Sequence, residues 1–274
     1  LYNRTTHNLS LNRLITMGTF KFVKNEFRET DSISNQLDAY YYLTPLPKKS
    51  IQVETLAKTN SANYSGTEIN VNWSNRNTFK GAELLKISAF AGLEVQVSGL
   101  NKGFNVYRLG ADASLIWPRF ISPVEMQSGS AFVPNTIASL GYEYQLRTKL
   151  YSLKTFNGSW GYIWKENERK EHNLNVVNVA YASSNDVSDL YKEQIAANPS
   201  LQRVIEKQLI VGTTYSYTYT NTMMKNRRNN IYFKGAVDLS GNSIGLLTGS
   251  NDSSNPKTIL GVPFSQYSKL ELEF

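Results

Sequence analysis

The sequence predicts an all-β, antiparallel transmembrane β-barrel led by a small α/β segment, and three observations carry that prediction. Long runs alternate strictly between apolar and polar residues, which is the period of a strand. Charges inside those runs keep to one face. Several runs exceed ten residues, where sandwich strands usually hold about 5 to 6 and a membrane-spanning strand needs about 9 to 11.

Composition agrees. The 274 residues include 17 Tyr and 12 Phe, 12% aromatic in all, yet the mean hydropathy is −0.38. A chain rich in aromatics that is polar on average suits a sheet with one apolar and one wet face. A doubly buried α/β sheet would show solid Val, Ile and Leu runs, and none occur. No stretch supplies the ~18 to 20 apolar residues of a membrane helix. With no cysteine, disulfide frameworks and thiolate metal sites are excluded. The net charge of +7 is scattered through the strands. Its densest group, Lys225, Arg227 and Arg228, is too short to argue for nucleic acid.

In chain order, residues 1–49 differ from the rest. Leu11, Leu14 and Ile15 recur at helical spacing, and Gly18 stands where a helix C-terminus favours glycine. Two strand-like runs follow, 19–27 and 36–43, joined by a polar turn at 29–32. Leu37, Ala39, Tyr41 and Leu43 share a face of the second. Pro45 and Pro47 mark a boundary before residue 50. Helix then hairpin reads as the second half of a small α/β unit.

From residue 50 alternation dominates. Ile69, Val71 and Trp73 share one face against Glu68, Asn70 and Asn72. A long run is expected over 81–98, with Leu85, Ile87, Ala89, Ala91, Leu93, Val95 and Val97 together and Phe90 the exception on the polar side. Tyr107 to Leu115 and Leu140 to Leu146 repeat the pattern. So do Trp160, Tyr162 and Trp164, then Tyr215, Tyr217 and Tyr219. Ile231, Phe233, Val237 and Leu239 follow, and Leu270, Leu272 and Phe274 close the series. About ten strands result, and aromatics gather toward their ends, as interfacial girdles do. A helical insertion is expected over about 185–208, with Asn185 as its cap, Val187, Leu190, Tyr191 and Ile195 on its face, and Pro199 restarting a turn.

No catalytic or cofactor motif occurs, and an enzyme is not expected. His7 and His172 lack metal-ligand neighbours, and His172 reads as part of a solvated turn over 165–172. Glu94, Glu143 and Asp238 share faces with Lys and Arg and read as an ion-paired lining. What remains is backbone chemistry: a barrel strand whose edge is poorly paired can template an incoming strand.

Five segments carry a family resemblance. Residues 38–45, leading into Ser50, Ile51, Gln52, Val53, Glu54, Thr55 and Leu56, look like the exit from a last periplasmic POTRA repeat into a first barrel strand. The turn Asn75-Arg76-Asn77-Thr78-Phe79-Lys80-Gly81-Ala82-Glu83 resembles the N-R-N-x-F-x-G-A-E turn of the BamA/TamA outer-membrane assembly superfamily. Residues 196–201, 215–219 and 260–269 resemble its TamL-type branch. The resemblance implies a division into 1–49, the C-terminal part of the last POTRA domain, and 50–274, the first part of an outer-membrane barrel. About ten of about sixteen strands would be present. The R-G-F loop of the family does not occur, so an internal fragment is expected, folding as an open sheet with 267–274 at its edge.

The resemblance further implies assembly or insertion of outer-membrane proteins through a lateral seam, the strand at about 50–59. Implied partners are the outer-membrane bilayer, unfolded outer-membrane clients, and periplasmic or inner-membrane accessory proteins. No cofactor, metal or nucleic acid is implied. The expected location is the bacterial outer membrane, with the N-terminal region in the periplasm. Two alternatives stand beside this reading: a passive porin or transporter barrel, against which the POTRA-like start argues, and a soluble β-rich surface-binding protein, which detergent extraction separates.

Overall fold

The computed structural model describes residues 2–30, 37–59, 64–96, 104–124, 129–222, 229–242, 258–259 and 261–274. A first helix, α1 (Arg4–Thr16), is capped by Asn3, whose side chain accepts from the amides of Thr5 and Thr6. Gly18, at φ +75°, lets the chain turn just past the helix end. An antiparallel hairpin follows, β1 (Phe20–Glu29) with β2 (Leu37–Pro45). His7 of α1 meets the rings of Phe27 and Tyr41 and hydrogen-bonds the Tyr41 hydroxyl at 3.0 Å, so it serves packing here.

The rest is one ten-stranded antiparallel sheet in the order β14-β11-β10-β9-β8-β7-β6-β5-β4-β3. Its strands are β3 (Lys49–Thr59), β4 (Tyr64–Arg76), β5 (Leu84–Gln96), β6 (Val106–Trp117), β7 (Asn135–Arg147), β8 (Tyr151–Lys165), β9 (Lys170–Asn185), β10 (Gln208–Thr220), β11 (Tyr232–Ser240) and β14 (Tyr267–Glu273). A two-residue ladder, β12 (Thr258–Ile259) with β13 (Val262–Pro263), precedes the last strand. Among the described residues β3 and β14 each pair on one side only, so the sheet is open and its edges are its first and last strands.

The two faces are sorted inside out. Rows of paired residues put Ile51, Trp73, Ile87, Ala113 and Leu140 side by side on an apolar face. Thr67, Ile69 and Val71 of that face are exposed, while Glu68, Asn70 and Asn72 on the other are more sheltered. Among the described residues the buried apolar set is only Val106, Tyr151, Tyr162, Tyr191 and Phe264, while many large hydrophobics are exposed. A soluble monomer rarely leaves a continuous apolar surface above a few hundred Å². Lipid, by contrast, is a solvent such a face suits.

The sheltered polar face is held by charge. Lys58 reaches Glu68 at 2.6 Å, Arg108 reaches Glu68 at 3.5 Å, and Arg108 Nε meets Glu143 Oε1 at 2.9 Å. This chain crosses from β3 to β7, passing over Gly92 of β5, where no side chain intervenes. Phe90, the apolar exception, is explained here. Its ring lies over Gly110, where an added Cβ would come within 2.4 Å of it, and the Arg108 guanidinium sits 5.5 Å from its centre.

Several expectations are corrected. The strand predicted over 81–98 starts only at Leu84, because residues 77–83 form a tight turn; Val97 and Ser98 lie outside the described residues. β9 escaped the alternation pattern, and a bulge at Trp160/Gly161 is the reason. It places the adjacent Val176 and Val177 both in the open, so two apolar neighbours break the period. The expected helix from 185 begins later: Asn185 ends β9, and Ser188 caps α2 (Asp189–Ala197). Asn198 then caps a 3-10 turn, Pro199–Leu201, that runs into α3 (Gln202–Ile205), and Gln208 already belongs to β10. Of the expected helical face, Tyr191 is buried but Leu190 is exposed. The turn at 29–32 and the basic group at 225–228 fall on or into residues outside those described.

Candidate docking seam and its anchoring turn

β3 is the edge strand on which the seven candidate seam residues lie. It pairs with β4 without a register break, from Lys49 opposite Asn75 to Thr59 opposite Ser65. Ile51 and Val53 lie on the apolar face, 69% and 64% exposed, with Thr55 beside them. Ser50, Gln52, Glu54 and Leu56 lie on the polar face. Ser50 and Ser74 share a hydrogen bond of 2.6 Å across the pair, and Gln52 donates to Glu54 at 2.6 Å along the strand. In an antiparallel strand alternate residues turn both backbone groups to one neighbour. Half of β3 therefore offers its N–H and C=O groups to the open side.

The candidate turn residues sit at the foot of this strand. Between β4 and β5 the chain takes positive φ at Asn77 (61°), Lys80 (69°) and Ala82 (64°). Asn77 tolerates that region better than most residues, and its Oδ1 accepts from the Ala82 amide at 3.0 Å. Glu83 is the hub. Its carboxylate accepts from the amides of Gly81 at 2.9 Å and Phe79 at 3.2 Å, and Arg119 stands 3.6 Å away. Gly81 leaves the carboxylate its place: an added Cβ would collide with Glu83 Oε1 and displace it from the amides. Burial pushes the Glu83 carboxyl up. The backbone amides of Glu83, Gly81 and Phe79, with Arg119 behind them, outweigh it and hold the group below the usual glutamate range.

Turn and seam meet through Arg76. Its amide donates to the Lys48 carbonyl at 2.7 Å, and its Nη1 reaches the Pro47 carbonyl at 3.3 Å and the Ser50 hydroxyl at 3.4 Å. Two residue sets that the sequence offers separately are thus one assembly at the start of β3. Asn75 is the exception: its buried Oδ1 has no hydrogen-bond partner.

An aromatic rim lies at this same end, where the sequence led us to expect aromatics, but its contacts with Phe120 and His172 escaped sequence reasoning. Trp117 and Trp160 lie 5.5 Å apart, and Phe120 packs on Tyr162 and Trp164. Tyr162 donates to the Ile121 carbonyl at 2.8 Å, and the fully buried Thr136 donates to the Arg119 carbonyl at 2.7 Å. His172 belongs to this rim and not to a solvated turn, since β9 starts at Lys170. It is 9% exposed, stacks on Trp164 at 4.8 Å and meets the Tyr215 hydroxyl at 2.8 Å. The loop between β6 and β7 also reaches the N-terminal unit, where Arg13 donates from Nε and Nη2 to the Ser130 carbonyl at 3.2 and 3.0 Å. No group of three or more potential metal ligands occurs among the described residues.

No protein-family model and no curated protein matches the chain. Among solved structures it is similar to BamA from Haemophilus ducreyi lacking POTRA domains 1–3, with a TM-score of 0.54 and 12% identity. The match covers 86% of this chain and 42% of that one, so the chain spans less than half the length of the structure it resembles. With its order of antiparallel strands and its inside-out faces, the chain has a BamA-like fold.

Proposed function

We propose that the chain is the leading part of a bacterial outer-membrane barrel that assembles or inserts other outer-membrane proteins, using the open edge of β3 as its strand template. Residues 1–49 are read as the end of a last POTRA domain in the periplasm and 50–274 as the first strands of a larger barrel. The TamL-type branch is the closest family reading. The partners are the outer-membrane lipid, unfolded clients and accessory envelope proteins, and the work is done without enzymatic chemistry.

One observation carries the proposal: a sheet with one apolar and one sheltered polar face leads off with a long strand, β3, paired with β4 along its whole length without a register break. In lipid an unpaired backbone group has no water to bond, so where the closing strand of the larger barrel pairs poorly with β3, that edge is costly until another strand covers it. An unfolded client strand supplies that cover, and its alternate side chains match the sorting of the two faces. The charged chain on the polar face favours a second reading, a passive pore.

Photo-crosslinking in cells decides between them. A crosslinker at Val53 of the full-length protein is expected to trap nascent outer-membrane proteins, and one at Leu109 on β6 is not. Equal trapping at both positions, or none at either alongside a steady ion conductance, leaves the passive pore.

A further inference from the structure

Outside the seam and its turn, the apolar face carries a second feature. Ala111, Ala113 and Gly158 form the floor of a depression of about 570 Å³, walled by Leu140, Tyr142 and Phe156. The floor is low because β6 and β8 put small residues beside the larger side chains of β7 and of Phe156. Tyr142 and Phe156 hold one wall, their rings 4.7 Å apart. Leu140 leans over Gly158, where an added Cβ would meet its Cδ2 at 3.4 Å. The lining is almost wholly hydrocarbon and the depression is open to the outside, so it suits a long apolar chain and not a compact polar ligand.

A cation stands directly beyond it. The next row of the same face, away from the N-terminal hairpin, runs Ala91, Leu109, Tyr144, Lys154, Ser183. Lys154 precedes Phe156 by two strand residues, about 6.7 Å. Among the described residues of this face, Lys49, Lys170 and His172 lie at the hairpin end, and Lys154 is the charged group at the other. It has no hydrogen-bond or ion-pair partner among the described residues. A lysine facing lipid is costly near the bilayer centre and nearly free at the interface. Lys154 is therefore placed where its long stem extends to a head group.

Groove and cation together make a two-part site. We propose that the apolar face holds one anionic membrane lipid in the leaflet farther from the N-terminal hairpin. An acyl chain lies over Ala111, Ala113 and Gly158, and the head-group phosphate meets Lys154. The proposal rests on the membrane reading above and adds a lipid of defined charge at a defined place. Charge complementarity is what singles out the occupant, because a zwitterionic lipid brings Lys154 a phosphate already offset by its own ammonium, whereas an anionic lipid brings net negative charge.

Native mass spectrometry of the full-length protein in detergent, titrated with phosphatidylglycerol or phosphatidylcholine, tests it. One phosphatidylglycerol is expected to bind more tightly than phosphatidylcholine. Lys154→Gln should weaken phosphatidylglycerol about five-fold, from the ~1 kcal/mol that one basic residue contributes near an anionic head group, and weaken phosphatidylcholine less, so that the preference is lost. Ala111→Trp, which fills the floor, should weaken both. Lys154→Arg should keep the preference, and raising the salt concentration on the wild type should erase it, which covers the case of a misfolded glutamine variant. The proposal is overturned by equal binding of the two lipids, or by Lys149→Gln in the adjoining turn causing the same loss, which reports general surface charge. Carbonate extraction of the full-length protein separates the two levels. Release from membranes sinks the membrane reading itself, whereas retention with equal lipid binding sinks only this inference.

Discussion

Glu83 is a carboxylate 2% exposed, with its charge distributed over backbone amides. Hydrogen bonds to a charged acceptor contribute about 1.5–3 kcal/mol each. Glu83→Gln is expected to lower the stability of the refolded protein by about 2 kcal/mol, read from the urea midpoint in detergent micelles. The folded pKa lies below the ordinary value of 4.5. The contribution of this group is therefore complete above about pH 4.5 and lost as the pH falls through the lowered value. The wild type should lose its advantage over Glu83→Gln across that acid window, and a constant difference down to low pH would refute the assignment. Gly81→Ala should cost a similar amount by pushing the carboxylate off its amides, and in the double variant the two losses should fall well short of adding. The glycine and glutamate of this turn were legible in the sequence only through the resemblance. The hub role was not, because it depends on backbone amides, which every residue carries.

At the scale of elements, the strands divide into those that pack by pattern and those that pack by exception. β4 to β7 were readable because strict alternation meets a flat register. β9 was not, because its bulge shifts one residue and sets two valines in the open. The helical insertion was readable as helix but not in its start. Ser188 competes successfully for the cap because its hydroxyl also donates to the Lys149 carbonyl at 2.6 Å, a partner supplied by another turn. Ser188→Ala is expected to cost about 1 kcal/mol and to act locally. Amide exchange should quicken in α2 while the sheet stays protected, and faster exchange throughout β8 and β9 would show that the cap supports more than its own helix. Tyr191, packed 4.9 Å from Tyr151, would then be the link.

For the whole molecule, the inside-out sorting makes a direct contrast between neighbouring positions. Leu140 is 71% exposed on the apolar face, and Asn157 lies on the polar one. In a membrane, Leu140→Arg should cost about 2–4 kcal/mol and Asn157→Arg little, read as folding efficiency into vesicles by heat-modifiable migration. In a soluble sheet both would be near neutral, since both would replace an exposed side chain. Equal tolerance therefore argues for the soluble alternative. The N-terminal unit is tied to this sheet through Arg13 and the Ser130 carbonyl.

The sequence by itself determined that this chain makes long antiparallel strands with one apolar and one polar face. Alternation is a local property, written residue by residue in a period of two. It also marked Phe90 as an exception without saying why. The tertiary structure decided what no local pattern contains. It set Phe90 over a glycine on the next strand, drew His172 into an aromatic rim, and ran a charge chain from β3 to β7 across a second glycine. It brought Arg76 to Ser50, joining turn and edge, and placed Lys154 at the head of a groove built from three strands. Each depends on register, the relative shift of neighbouring strands, and register is settled by bulges, turns and small residues acting together over the whole sheet.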